Sequence, residues 1–346
     1  MSSKYRVGII GCGRIAPAHV NSFRAVEGYE LAALADVKRE AGEGLCSKFE
    51  LSVPLYEDYR EMLEKEHLDV VTVATWPGTH AEITVAAAKA GVAGILCEKP
   101  MAPSLGEAAA MLEACDEYGA KLAIGHQHRF DPAWNRAKEL IADGAIGQPL
   151  LALCRVTDGL LNNGTHYIDG IRYILGDPLP QWAMGQLERR TDRYERGEPI
   201  EDRLLGLVAF SGGAQALVEV DMPTAAEAAS WPYTFLGTEG RIQLEPQRLT
   251  LINASGKQQL ALTAEVSSHV LQAREFLRWL DGEIKDYRGS GEKAYQTVAI
   301  MMGMYESVRR QGVVSFPLTV KESPLKLMLE AGRLPVEQVG RYDIRA

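Results

Sequence analysis

The sequence predicts an α/β protein in which a doubly wound parallel sheet is followed by an α+β domain with a mostly antiparallel sheet. Two observations lead to this prediction. Over the first part of the chain, short continuous apolar runs alternate with amphipathic stretches, which is typical of a parallel sheet covered on both faces. After about residue 126, short apolar runs recur at near-regular spacing with Gly and Pro between them, which favours an antiparallel sheet.

Each strand of the first part is predicted from an uninterrupted apolar run, and each helix from apolar residues at helical spacing. The clearest strand is Val-Val-Thr-Val-Ala at 70–74, which lacks alternation and therefore indicates burial on both faces. The helix after it is expected to be capped by Thr79, with Glu82 at the spacing of a capping box. The predicted strands are 5–10, 31–35, 70–74, 94–97 and 122–124, and the predicted helices are 15–26, 81–90 and 106–118.

The second part begins with a helix, a strand and another helix, and continues with short strands before two longer helical stretches. The strands are predicted at 150–156, 204–210, 214–220, 233–236, 241–244, 249–252 and 258–262, and the helices at 132–142, 166–175, 270–280 and 293–310. This order predicts a first domain over 1–125, a second domain over 126–318 and a carboxyl-terminal extension over 319–346.

The composition argues against several classes of partner. The chain of 346 residues carries 37 Lys and Arg against 46 Asp and Glu, a formal net charge of −9. Such an acidic chain is poorly suited to bind nucleic acid or an anionic membrane, and no apolar run approaches the length of about 18 residues that a membrane helix needs. The five cysteines are odd in number and widely spaced, so we expect neither a disulfide framework nor a structural zinc site, and we expect a cytoplasmic protein.

The first strand leads into a glycine-rich turn that is typical of dinucleotide-binding sites. Residues 11–16 follow the pattern G-x-G-x-x-A between a strand and a helix. Gly11 permits the tight turn, Gly13 lets the backbone approach a pyrophosphate, and Ala16 lets the helix pack closely on the sheet. The candidate cofactor contacts in this loop are Gly11, Cys12, Gly13, Arg14 and Ile15.

Asp36 gives this motif its expected context, because it ends the second strand 20 residues after Ala16. A carboxylate at that position hydrogen-bonds the ribose hydroxyls of the adenosine half of a dinucleotide. It would repel a 2′-phosphate, which favours NAD over NADP. Lys38 and Arg39 follow closely and offer positive charge for that phosphate, so NADP stays open as an alternative.

Four further stretches place polar residues at predicted strand ends or at a helix start. They are Thr-Trp-Pro-Gly-Thr-His at 75–80, Cys-Glu-Lys-Pro at 97–100, Gly-His-Gln-His-Arg-Phe at 125–130 and Asn-Gly-Thr-His-Tyr-Ile-Asp at 163–169. With the glycine motif, this series resembles the glucose-fructose oxidoreductase / inositol dehydrogenase / MocA family from about residue 5 to residue 317. The Glu-Lys-Pro element in this order and spacing is the most specific part of the resemblance.

The resemblance implies a Rossmann domain followed by an α/β domain with a large, open, mostly antiparallel sheet. That sheet is expected to join subunits into a homodimer or homotetramer. The implied activity is an NAD(P)-dependent oxidoreductase that transfers a hydride between nicotinamide and a hydroxyl or keto carbon. The implied substrate is a small molecule: a sugar, a cyclitol or a related polyol.

The resemblance also implies roles for individual residues. Lys99 is expected near the nicotinamide, where it would hold the developing alkoxide, and His166 is expected to accept and return the hydroxyl proton. For Trp76 and His80 the alternatives are structural, a buried loop tryptophan and a helix-capping histidine. Further cofactor contacts are expected at Thr75, Trp76, His80, Glu98 and Gln127, and substrate contacts at His128, Asn162, Thr165 and Asp158.

Asn162 departs from the pattern of the family, in which most members have an aspartate four residues before the histidine. An amide cannot act as a base and cannot stabilise Lys99 as a cation. The proton acceptor is therefore expected to be His166 or a Lys99 of lowered pKa. Asp169, one helical turn after His166, is expected either to orient the imidazole or to support the helix. Asp158 has an equal alternative as a plain turn residue.

Three alternative functions stay open. The first is a non-catalytic dinucleotide-binding sensor or regulator, which Asn162 favours slightly. The second is a redox-neutral lyase or glycosidase in which NAD is reduced and restored within one turnover. The third is a metal hydrolase on the His-x-His pair His126 and His128, although no metal site is expected because no further ligand cluster lies nearby in the sequence. The remaining histidines are expected to be ordinary surface or helix residues: His19, His67 and His269.

Overall fold

The computed structural model describes residues 5–223 and 233–338. The described chain forms two compact units. The first contains residues 5–102, 107–127 and 266–294, and the second contains the remaining described residues. Residues 1–4 of the predicted first domain and residues 339–346 of the predicted extension lie outside the described residues.

The first unit is built on a parallel sheet. Its strands are β1 (Tyr5–Ile10), β2 (Tyr29–Ala35), β3 (Leu55–Tyr56), β4 (Val70–Val73), β5 (Gly94–Cys97) and β6 (Lys121–Ile124). Their order is β3-β2-β1-β4-β5-β6, and every pairing is parallel. The order reverses between β1 and β4, which makes the carboxyl ends of these strands the expected ligand-binding edge.

Helices connect these strands, as the alternation in the sequence predicts. They are α1 (Ala16–Arg24), α2 (Arg39–Phe49), α3 (Tyr59–Lys65), α4 (Pro77–Lys89) and α5 (Leu105–Tyr118). The sequence analysis did not predict α2, β3 or α3. Its capping box was wrong, because α4 already begins at Pro77 and Thr79 lies inside the first turn. Proline is favoured at that first position, since its missing N–H has no partner there anyway.

A helix that is distant in sequence completes the first unit. Helix α8 (Ser268–Leu280) packs on α1, and the hydroxyl of Tyr29 donates to the carbonyl of Ala273 at 3.1 Å. Gly94 in β5 allows this close approach, because a Cβ there would lie 2.8 Å from Cζ of Phe276. The contacts therefore place residues 266–294 with the first unit, whereas the sequence analysis placed them in the second domain.

The second unit is built on a large mixed sheet. Its strands are β7 (Pro149–Val156), β8 (Pro180–Glu188), β11 (Arg203–Phe210), β12 (Gln215–Val220), β13 (Tyr233–Gly237), β14 (Gly240–Glu245), β15 (Arg248–Asn253), β16 (Gly256–Ala261) and β17 (Val314–Ser315), and a separate hairpin joins β9 (Tyr194–Glu195) to β10 (Glu198–Pro199). The order is β16-β15-β14-β13-β7-β12-β11-β8-β17. Within the described residues β7 and β12 pair in parallel, and the other neighbours are antiparallel.

The two faces of this sheet differ. One face is covered by α6 (Pro132–Ala142), α7 (Thr165–Ile174) and the second half of α9 (Gly291–Arg310). Gly206 permits that packing, because a Cβ there would meet Sδ of Met304 at 2.4 Å. On the opposite face, the large apolar side chains of Met184 and Leu205 are exposed.

The segment after β17 lies on the second unit. It contains α10 (Pro324–Glu330), whose Lys326 pairs with Glu198 at 2.7 Å. The backbone N–H groups of Glu337 and Gln338 both donate to the carbonyl of Arg190. Across the described parts of the chain, none of the helices combines the length and the apolar character needed to cross a membrane.

Candidate active site

The predicted dinucleotide motif has the geometry that its glycines suggest. Gly11 has a φ of +95°, and a Cβ there would lie 2.5 Å from the carbonyl oxygen of Ala74. Only glycine satisfies both constraints. A Cβ on Gly13 would meet no protein atom within 4 Å. The turn therefore leaves open space in front of Gly13, where a pyrophosphate fits, and the helix α1 starts directly behind it.

Asp36 is fixed against this turn. Its Oδ2 accepts a hydrogen bond from the backbone N–H of Cys12 at 2.7 Å, and its Oδ1 accepts from the N–H of Lys38 at 2.8 Å. Each carboxylate oxygen keeps a second lone pair, as recognition of a ribose diol requires. Arg39 is in an ion pair with Glu43 at 3.0 Å. These residues fit the adenosine half of NAD.

Residues after β4 approach the same edge of the sheet. Trp76 is 57% exposed, so it is not a tryptophan buried for structural reasons. His80 is completely buried, and its two ring nitrogens lie 2.9 Å from the carbonyl oxygen of Pro100 and 3.1 Å from that of Thr75. Burial lowers the pKa of His80, although the two carbonyls oppose this. His80 therefore ties the loop after β4 to the Glu-Lys-Pro segment.

Glu98 and Lys99 follow β5, and the side chain of Glu98 contacts His19. Oε1 of Glu98 lies 2.9 Å from Nε2 of His19, and Oε2 accepts from the backbone N–H of Lys99 at 3.3 Å. Burial alone would raise the pKa of Glu98, but the hydrogen bond and charge of His19, with Lys99 and His269, lower it to about 2. Glu98 is thus a buried anion directly beside Lys99.

Of the histidines expected at the surface or in a helix, His19 lies in α1 and His269 lies in α8. His19 is buried in α1 and not at the surface, and its ring lies edge-on to that of His269 at 6.3 Å. The sequence gives no sign that His19, Glu98 and His269 lie together, because they come from α1, the end of β5 and α8. His67 is exposed, as expected.

The cysteines beside the motifs are packing residues. Cys12 and Cys97 are buried, and burial raises the pKa of the Cys12 thiol to about 12, with Asp36 adding to the effect. Both thiols are therefore protonated near neutral pH. Among the described residues no group of three or more His, Cys, Asp and Glu side chains is arranged to hold a metal ion.

In the second unit, Asn162 lies in a π-turn (Gly159–Gly164) that Asp158 precedes, and Thr165 and His166 lie in the first turn of α7. His128 lies in a separate 3-10 turn, Gln127–Phe130. Asn162, Thr165 and His166 are all buried. The ring of His128 lies edge-on to that of His166, with centroids 4.8 Å apart. π-Helical turns are rare and often occur at functional sites. The structure therefore brings two of the predicted residues, His128 and His166, into direct contact.

Two carboxylates accept hydrogen bonds from backbone N–H groups at the start of the π-turn. Asp221, at the end of β12, accepts from the backbone N–H groups of Asp158 and Gly159 at 2.9 and 3.0 Å. Glu201 is completely buried, and it accepts from the N–H of Leu160 at 2.7 Å while Tyr305 contacts its second oxygen at 2.5 Å. Asp221 and Glu201 were not predicted, because an acidic residue near the end of a strand is usually part of a solvated loop.

The two aspartates flanking His166 have other partners. Asp158 has a left-handed backbone, and its Oδ2 accepts from Nδ2 of Asn163 at 3.1 Å within the turn. Asp169 receives two hydrogen bonds from the buried guanidinium of Arg129, at 2.7 and 2.8 Å. Arg129 also binds Asp177 with two hydrogen bonds. Of the two roles expected for Asp169, the contacts therefore favour support of the helix.

Comparison with known proteins gives the chain its family. Residues 5–126 match the model of the GFO/IDH/MocA oxidoreductase family for its NAD-binding Rossmann fold, and residues 138–316 match its model for the C-terminal alpha/beta domain. D-Apiose dehydrogenase from Paraburkholderia graminis is 27% identical over 95% of this chain and 94% of its own. Myo-inositol 2-dehydrogenase from Thermotoga maritima is 26% identical over 73% of this chain and 79% of its own.

Solved structures show the same fold. Levoglucosan dehydrogenase in complex with NADH and levoglucosan has a TM-score of 0.79 at 22% identity, covering 91% of this chain and 100% of its own. An oxidoreductase from Agrobacterium radiobacter in complex with NAD+, L-tartaric acid and magnesium has a TM-score of 0.78 at 21% identity, covering 90% and 98%. The protein therefore belongs to the GFO/IDH/MocA family of oxidoreductases, with an NAD-binding Rossmann domain followed by the C-terminal α/β domain of that family.

Proposed function

We propose that the protein is an NAD-dependent dehydrogenase that oxidises a hydroxyl-bearing carbon of a sugar, cyclitol or related polyol to a keto carbon, or runs the reverse reduction. One observation carries this proposal. The glycine turn, the fixed carboxylate of Asp36 and the Glu98–Lys99 segment lie at the carboxyl ends of β1, β2 and β5, three strands of the same parallel sheet. Bound NAD supplies the acceptor for the hydride at that edge.

Lys99 and His166 are the residues we propose for the proton chemistry. Lys99 donates a hydrogen bond to the substrate oxygen and stabilises its developing negative charge. The neighbouring anion Glu98 supports a positively charged Lys99, which favours His166 as the base over a Lys99 of lowered pKa. His166 then accepts the hydroxyl proton, and it returns that proton in the reverse reaction.

The remaining proposed binding residues fall into a cofactor set and a substrate set. For the cofactor we propose Gly11, Cys12, Gly13, Arg14, Ile15, Asp36, Thr75, Trp76, His80, Glu98, Lys99 and Gln127. For the substrate we propose His128, Asn162, Thr165 and Asp158. The position of Asp36 supports NAD over NADP, since its carboxylate is held where a 2′-phosphate would have to lie. Relatives of this chain include D-apiose dehydrogenase and inositol 2-dehydrogenase, which supports a polyol as the substrate class.

We also propose that the protein is a cytoplasmic homodimer or homotetramer. The exposed apolar side chains Met184 and Leu205 on the uncovered sheet face support self-association there, because such surface is more stable when buried. Five free cysteines fit a reducing compartment. We retain the domain boundaries 1–125, 126–318 and 319–346 as a proposal, with helix α8 contributed to the first unit.

Thermal-shift titration with NAD(H) and NADP(H) tests the cofactor, because a ligand bound to the native state raises the melting temperature. A panel of sugars and inositols read at the NADH absorbance band then tests the reaction. We expect a larger shift with NAD(H) and a change in absorbance on at least one polyol. A shift without turnover would favour the sensor that Asn162 suggests, and products without net NADH would favour the redox-neutral enzyme. The absence of a shift with every dinucleotide would contradict the proposal.

A further inference from the structure

The imidazole of His128 is held in one orientation. Its Nδ1 lies 2.5 Å from Oδ2 of Asp131, three residues later, at the start of α6. Its ring stacks on the indole of Trp134, with centroids 5.1 Å apart and an interplanar angle of 15°. Trp134 is itself packed edge-on against Tyr233 at 5.5 Å. The carboxylate fixes the proton of a neutral His128 on Nδ1, so Nε2 carries the lone pair.

His128 connects a buried imidazole to a more exposed position. His166 is buried, whereas the side chain of His128 is 36% exposed. The two rings meet edge to face at 4.8 Å. Each oxidative turnover would leave one proton on His166, and that proton must reach water before the next turnover.

We propose that His128 is a proton-relay residue that carries protons between His166 and solvent, with Asp131 as its positioning residue. This inference rests on the proposed function, because it takes His166 as the acceptor of the substrate proton. Nε2 of His128 binds the proton that His166 releases, and Asp131 stabilises the resulting imidazolium. The same nitrogen then gives the proton to water, and reduction reverses each transfer.

The balance of the reaction is complete without another co-reactant. In oxidation, the substrate carbon loses a hydride to the NAD of the proposed function, and the substrate oxygen loses its proton to His166. The proton leaves through His128, and the two imidazoles return to their neutral forms. Asp131 gives up no proton and stays an anion throughout.

A measurement on the protein alone tests whether Nε2 of His128 is the available nitrogen. Diethyl pyrocarbonate acylates neutral imidazoles, and peptide mass spectrometry follows each histidine separately. We expect His128 to react faster than His166. On the high-pH plateau of the reaction, where each imidazole is neutral, Asp131→Asn should slow His128 several-fold, because the carboxylate no longer raises the nucleophilicity of Nε2, while the exposed His67 reacts at an unchanged rate. Equal rates for His128 and His166, or no effect of Asp131→Asn, would overturn the proposal.

A kinetic measurement tests the relay itself, with a polyol that the wild-type protein oxidises. We expect His128→Ala to lower kcat on the order of 10- to 100-fold, in addition to any rise in KM that follows from the loss of its proposed substrate contact. Added imidazole should restore most of the kcat of His128→Ala, and it should leave His67→Ala unaffected. His128→Gln, which preserves more of the packing on Trp134, should show the same loss and the same restoration.

The outcomes separate the two proposals. A rise in KM at unchanged kcat, or no restoration by imidazole in either folded variant, would make His128 a substrate-binding residue only and would overturn the relay. If the wild-type protein oxidises no polyol of the panel, the proposed function fails. The modification rates then decide by themselves whether His128 is the reactive imidazole.

Discussion

Nε2 of His19 lies 2.9 Å from Oε1 of Glu98, although the two residues are 79 positions apart in the sequence. Both side chains are buried, and Glu98 immediately precedes Lys99. An unpaired carboxylate at this depth is costly, so His19 is the group that allows a negative charge beside Lys99. The pair therefore links the first helix after the glycine motif to the proposed reaction centre.

His19→Leu should destabilise the protein by about 3 kcal/mol, because it leaves the buried carboxylate of Glu98 without its hydrogen-bond donor. Urea unfolding at pH 7 measures this loss. His19→Gln is the matched control, since its side-chain amide places a donor near the position of Nε2 and should recover much of the stability. Equal unfolding free energies for His19→Leu and the wild type would contradict the role of the pair.

The same pair predicts how stability depends on pH. The pKa of Glu98 is lowered from 4.5 to about 2 in the folded protein. A lowered carboxyl pKa contributes stability above the unfolded value, and this contribution is lost as pH falls through the folded value. We therefore expect roughly 3 kcal/mol of the free energy of unfolding to disappear between about pH 4.5 and 2. His19→Leu should show a smaller fall over that window, and an unchanged slope would count against the assignment.

Substituting alanine for Gly11 and for Gly13 should have different effects, one on stability and the other on NADH binding. Gly13→Ala should fold with wild-type stability, because its Cβ meets no protein atom, yet it should bind NADH at least about tenfold more weakly. Gly11→Ala should lose about 2 kcal/mol of stability, since the residue has a φ of +95° and its Cβ would meet the carbonyl of Ala74. NADH fluorescence titration and thermal melting measure the two effects. Full NADH affinity in Gly13→Ala would show that the pyrophosphate does not lie there.

Local patterns were enough to predict the strands and the glycine turn at one edge of the sheet of the first unit. The run before Gly11 and the run at 70–74 are buried strands, and the acid at Asp36 stands against the motif as its spacing indicates. Such patterns succeed because each depends on residues close together in the chain. The packing of helix α8 within the first unit was not predicted, for the opposite reason. The sequence predicts the apolar face of this helix, but it does not indicate which surface that face packs against.

For the second unit, the sequence predicted the candidate residues but not the side chains that surround them. His128 and His166 were both identified, but their contact depends on α6 and α7 packing side by side. Nothing in the sequence distinguishes Arg129 from an exposed basic residue. Its burial between Asp169 and Asp177 depends on the packing of α6 against α7. A single sequence does not encode such long-range partners in any local pattern.

Glu201 should set the stability of the π-turn. Glu201→Leu leaves the N–H of Leu160 and the hydroxyl of Tyr305 without their buried acceptor, which should cost about 2–4 kcal/mol. Burial raises the pKa of Glu201. Glu201→Gln keeps an oxygen that can accept from the N–H of Leu160, and its amide can donate to the hydroxyl of Tyr305, so this variant should stay close to the wild type. Urea unfolding compares the two variants. Equal losses in both would contradict this expectation and would mean that the charged carboxylate is required, since Glu201→Gln preserves the shape and one acceptor oxygen.

The contacts of Asp169 predict a structural effect without a change in the proton chemistry. Asp169→Asn removes the charge that faces the buried guanidinium of Arg129, and it should cost about 3 kcal/mol in urea unfolding. Because the carboxylate is committed to Arg129, the dependence of kcat on pH should keep its shape in this variant. The exposed Asp143→Asn is the matched control and should change neither quantity. A displaced pH profile at wild-type stability would instead make Asp169 the group that orients His166.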